Sequence, residues 1–107
     1  MSATTTDQET LMRFIALFFD DVQPGQIDAD LTRAHFEYLA SCGDRITDAG
    51  GLREGQEAPF CGSLWVIHAE SLTEAQALAD GDPYCTAGLR PNYRVLQWNQ
   101  APLPRTT

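Results

Sequence analysis

Two stretches of this chain are apolar on both faces of an extended strand, and nothing else in the sequence limits its architecture as tightly. From Leu11 to Phe19, Met12, Phe14, Ala16 and Phe18 point one way, while Ile15, Leu17 and Phe19 point the other. Asp20-Asp21 and Pro24-Gly25 close the run with turn residues. From Gly62 to Glu70 the pattern repeats: Leu64 and Val66 share one face, Trp65 and Ile67 the other. Side chains alternate along a strand, so such segments need cover on both sides.

The remaining segments supply cover for one side only. Asp28 or Asp30 can cap a helix running to about Cys42. Leu31, Ala34, Tyr38, Leu39 and Cys42 follow its 3.6-residue period, and Gly43 suits its end. Arg45 to Ala49 reads as a short, weak strand, and Gly50 to Pro59 as a charged, glycine-rich loop. Ser71-Leu72-Thr73-Glu74 is a capping box opening a second helix through Ala79, stopped by Gly81 and Pro83. Tyr93 to Trp98 is the last strand. The order β-α-β-β-α-β predicts an α+β ferredoxin-like fold, a four-stranded antiparallel sheet with two helices on one face. The other face then needs a partner, and a second copy of the chain is expected to supply it.

The 107 residues suit one domain, expected over 11–99, with a disordered N-terminus at 1–10 and a C-terminal tail at 100–107. A net charge of −8, from seven Arg, no Lys and fifteen acids, argues against nucleic acid and anionic membranes as partners. Phe14 to Phe19 is the longest apolar run, too short to span a bilayer. Met1 to Thr10 lacks the basic and apolar regions of a secretory signal. Cys42, Cys61 and Cys85 are odd in number and form no C-x-x-C pair, which predicts reduced thiols and a cytoplasmic setting. A zinc site from Cys61, Cys85 and His68 would match no standard spacing. No nucleotide-binding or metalloprotease motif occurs, and no cofactor is expected.

Two residues stand out for chemistry. His35 falls on the buried stripe of the first helix, between Leu31 and Leu39. A titratable group there needs a partner. It is either an acid/base or a core histidine satisfied by a backbone carbonyl. Asp82, in Asp80-Gly81-Asp82-Pro83-Tyr84, is either a turn carboxylate or the orienting partner of an imidazole. Arg33 and Arg90 are candidate anchors for an anionic group, against solvated surface positions. Trp65, Tyr84 and Trp98 can line an apolar pocket or simply pack the core. His68, near a strand end, reads as structural.

Several segments together resemble the YCII-related family. These are Gly62-Ser63-Leu64-Trp65-Val66-Ile67 with Ala69-Glu70-Ser71-Leu72-Thr73-Glu74-Ala75, Asp82-Pro83-Tyr84 with Ala87-Gly88-Leu89, and Arg33-Ala34-His35 with Tyr38-Leu39. The resemblance covers about Leu11 to Asn99. It implies a ferredoxin-like domain that dimerises sheet to sheet, as in the dimeric α+β barrel superfamily. It also implies a His–Asp active-site pair, here His35 and Asp82. Beside that pair, Arg33, Ser63, Trp65, Tyr84 and Arg90 are the candidate substrate contacts. Its relatives include a dehydrochlorinase of a chlorinated hydroxyquinol, and the superfamily includes muconolactone isomerase and small monooxygenases. The expected function is therefore cofactor-free lyase or isomerase chemistry on a small, oxygenated, cyclic or aromatic metabolite. The alternatives are a non-catalytic small-molecule-binding dimer and a cofactor-free monooxygenase.

Overall fold

The structure, a computed structural model, describes residues 11–19 and 23–102. The expected disorder at 1–10, the Asp20-Asp21 turn and most of the tail lie outside the described residues. The elements are β1 (Met12–Phe18), α1 (Ala29–Ser41), β2 (Ile46–Arg53), β3 (Phe60–Ala69), α2 (Leu72–Asp80), α3 (Pro83–Thr86) and β4 (Tyr93–Gln97). The strands form one antiparallel sheet in the order β2-β3-β1-β4. This is the ferredoxin-like arrangement expected from the β-α-β-β-α-β pattern.

Local chemistry sets the element ends. The Asp28 carboxylate accepts hydrogen bonds from the Asp30 and Leu31 backbone N–H groups at 3.0 and 3.2 Å and so caps α1. Gly43, just past the last turn, has φ +59, the left-handed geometry that glycine adopts without a side-chain clash. At α2, Ser71 Oγ accepts the Glu74 N–H at 3.1 Å. The return half of the capping box differs from the expected form. Glu74 Oε1 accepts from the Glu70 N–H at 2.9 Å and from Arg45 Nη1 at 2.6 Å, tying α2 to the segment before β2.

The loop expected from Gly50 to Pro59 begins later than the sequence implied. β2 runs through Arg53, with Gly50 opposite Leu64, Gly51 opposite Ser63 and Leu52 opposite Gly62. Glycine has little strand preference of its own, and the ladder to β3 overrides it. A second difference lies after α2. Asp82-Pro83 does not make a simple turn; it opens the short helix α3, with Asp82 at the N-cap and Pro83 at the first helical position.

The core lies between sheet and helices. Phe14, Ala16, Phe18, Trp65, Ile67, Ala69 and Val95 are buried against Ala75 and Ala79 of α2, with Tyr38 and Leu39 of α1 packed beside them. The Tyr38 hydroxyl donates to Leu78 O at 2.6 Å and ties the two long helices together. Burial raises its ionisation to about 12. The opposite face carries Ile15, Leu17, Leu64 and Val66, paired Ile15 to Val66 and Leu17 to Leu64, and all half-buried. Leu96 joins them at 36% exposure. No helix among the described residues is long and apolar enough to cross a membrane.

Candidate active site

Along α1 the apolar residues Leu31, Ala34, Tyr38 and Leu39 are only half-buried, whereas His35 is 7% exposed. The residue most deeply set in this helix is therefore its imidazole. Its Nδ1 lies 2.5 Å from Asp82 Oδ1. Asp82 is fully buried, at the N-cap of α3, yet its side chain makes no capping hydrogen bond. The carboxylate turns away from its own helix instead. Its second oxygen, Oδ2, faces Arg90 Nη1 at 3.5 Å. A buried carboxylate without partners would be costly, and here a cation and an imidazole flank it.

Arg90 is held on several sides. Its Nη2 donates to Ser63 Oγ at 2.8 Å, and its guanidinium lies 4.6 Å from the Phe18 ring centre and 5.0 Å from that of Tyr84. The Tyr84 ring in turn stacks on His35 at 4.0 Å with 9° between the planes, and its hydroxyl donates to Thr32 Oγ1 at 3.3 Å. Ring stacking and the Asp82 contact together define the plane and direction of the imidazole. An acceptor at Nδ1 places the proton on that nitrogen, which leaves Nε2 as the nitrogen able to exchange one with a ligand.

His35, Ser63, Trp65, Tyr84 and Arg90 all line one cavity of about 300 Å³ between α1 and the sheet. That size suits a single small ring. Its other walls include Phe36 and Leu39 from α1, Gly51 from β2 and Phe60 from β3. Arg90 and Ser63, bonded to each other, supply polar groups among apolar surfaces, as in a typical small-molecule site.

Not every sequence candidate reaches this place. Arg33 is exposed and pairs with Asp30 one turn away on α1. Trp98 is 41% exposed under the Arg13 guanidinium and does not line the cavity. His68 meets Thr47 Oγ1 at 2.9 Å on the opposite sheet face. The three cysteines are free thiols, none of them lining the cavity. Residue-by-residue reading missed Thr32, Phe36, Gly51 and Phe60. For Phe36 there was a signal: an apolar aromatic beside His35 but off the buried stripe, now 61% exposed.

The family model of the YCII-related domain matches residues 12–99. Among solved structures, 5-chloro-2-hydroxyhydroquinone dehydrochlorinase (TftG) from Burkholderia phenoliruptrix AC1100, in complex with 2,5-dihydroxybenzoquinone, is similar at 27% identity and a TM-score of 0.68. The match covers 84% of this chain and 96% of that one. PH0061 aligns at a TM-score of 0.47 and 8% identity, over 100% of this chain and 63% of the other. No protein of curated function matches.

Proposed function

The chain belongs to the YCII-related domain family, and from that premise we propose that it is an acid/base enzyme of the lyase or isomerase type, acting on a small oxygenated ring. The observation that carries this reading is the 2.5 Å contact between His35 Nδ1 and Asp82 Oδ1 at the wall of a cavity sized for one ring. The similar structure supports the ligand class, since that protein is a dehydrochlorinase of a hydroxylated ring.

In the proposed step, His35 Nε2 accepts a proton from a ring hydroxyl or carbon of the substrate. The released electron pair forms a new C=O or C=C bond. In an elimination, a leaving group departs with its bonding electrons; in an isomerisation, His35 returns the proton at another carbon. Asp82 keeps Nδ1 protonated and faces the imidazolium as it forms. Arg90 and Ser63 form the polar corner that receives a substrate oxygen as negative charge builds on it. The free cysteines support a reducing, cytoplasmic setting for this chemistry.

The test is turnover of hydroxylated and chlorinated hydroquinones, read by absorbance and halide release, by the parent and by His35→Gln. Turnover by the parent alone is expected. A parent inert on every ring, or a His35→Gln variant as fast as the parent, contradicts the reading.

The sheet face bearing Ile15, Leu17, Leu64, Val66 and Leu96 is proposed to pack on a second copy of the chain. Five apolar side chains side by side on an otherwise acidic protein support that assignment. Native mass at micromolar concentration is expected at twice the 11.8 kDa of one chain, and Val66→Glu is expected to halve it. A parent that runs as a monomer overturns the dimer.

A further inference from the structure

We propose that Phe60 is the wall of the cavity that selects flat rings, and that Gln23 and Gly51 exist in their present form to hold it there. This inference rests on the reading above that the cavity takes a small oxygenated ring.

Three independent contacts converge on Phe60. The Gln23 side chain grips its backbone at both ends: Nε2 donates to Phe60 O at 2.8 Å, and Oε1 accepts the Phe60 N–H at 3.1 Å. An amide is shaped to do this, because it presents one donor and one acceptor side by side as a neighbouring strand would. Gln23 thus continues the sheet's pairing at the point where β3 begins.

The ring itself lies over Gly51. A Cβ built on Gly51 would sit 2.6 Å from Phe60 Cδ1 and 2.7 Å from Cε1, so any side chain at 51 would displace the ring. Gly51 has no need of a left-handed backbone, because among the described residues positive φ occurs only at Gly43 and Gly88. Its glycine is required by the close approach of the ring and by nothing in its own geometry. Finally, the Arg53 guanidinium lies 5.0 Å from the Phe60 ring centre. The backbone, the floor and the charged neighbour of this aromatic are all specified.

Such a fixed ring has a purpose beyond core packing, because Phe60 belongs to no part of the buried core cluster and is itself only half-buried. It lines the same cavity as Phe36 from α1. A flat ligand there meets aromatic surface that a puckered ring cannot match. Aromatic pairs favour stacked or edge-on contact, beyond what area alone provides.

The experiment compares hydroquinone with cyclohexane-1,4-diol, which carry the same two hydroxyls on a flat and a puckered ring. Affinities are measured by ligand-observed NMR for the parent, Phe60→Leu and Gly51→Ala, with 2,5-dihydroxybenzoquinone as a third ligand. Phe60→Leu is expected to lower the flat-over-puckered preference about fivefold. Gly51→Ala should move it in the same direction by displacing the ring without removing it. A loss of fold in either variant would appear in its circular dichroism, and the other variant then decides. If the parent prefers flat rings and both folded variants keep that preference, the role of Phe60 is overturned while the proposed function stands. If the parent binds none of the three ligands, the reading of the cavity falls, and this inference falls with it.

Discussion

Asp82→Asn is expected to lower turnover by roughly 10²- to 10⁴-fold, the range a positioned acid/base contributes, while the affinity for 2,5-dihydroxybenzoquinone stays close to that of the parent. The substitution preserves shape and removes charge. The carboxylate can only accept from His35 Nδ1, so the proton rests there and Nε2 is open. An asparagine amide can turn its NH₂ toward Nδ1 and donate to it. The imidazole then carries its proton on Nε2, facing the cavity with no lone pair to offer. Tyr84 still stacks on the ring, and Arg90 still donates to Ser63, so the binding surface persists. An equal loss of binding and turnover would mean that Asp82 shapes the cavity and takes no part in the proton transfer.

Asp82→Leu is expected to act on stability, by roughly 3 kcal/mol, because it removes one member of a buried ionic pair and leaves the other. Arg90 is 7% exposed, and Asp82 Oδ2 faces it at 3.5 Å. With leucine at 82, the guanidinium meets an apolar side chain in the interior, and His35 Nδ1 loses its acceptor as well. The double variant Asp82→Leu/Arg90→Met is expected to recover at least half of the loss, since an apolar pair can replace a buried ionic pair at little net cost. Urea unfolding of the three proteins measures this. An Asp82→Leu variant as stable as the parent, or a double variant no more stable than Asp82→Leu, would show that Arg90 does not depend on Asp82.

Both predictions depend on contacts that were unequally legible in the sequence. His35 could be found from its own helix, because a titratable residue on a buried stripe announces a partner. Asp82 could not. Its neighbourhood reads as a turn, and only the resemblance to a family paired it with a histidine 47 residues away. The structural reason is that the Asp82 side chain abandons the local role its sequence suggests. It sits at an N-cap and caps nothing. The strand pattern of Phe14, Phe18, Trp65 and Ile67 was clear because alternation is a local property. The extension of β2 through Gly50 and Gly51 was hidden because it depends on pairing with β3, where these glycines lie opposite Leu64 and Ser63. Phe60 was hidden for a similar reason: its clamp comes from Gln23, which no periodicity connects to it.

If His35 offers Nε2 to a ligand while Asp82 holds Nδ1, ¹⁵N NMR of the two histidines distinguishes the two nitrogens. His68 lies on the far face of the sheet and serves as an internal reference. On addition of 2,5-dihydroxybenzoquinone, the His35 Nε2 resonance is expected to shift strongly, with Nδ1 remaining protonated and the His68 signals unmoved. A proton found on His35 Nε2 with Nδ1 bare, or a His35 spectrum indifferent to the ligand while binding is seen elsewhere, would contradict this role of His35.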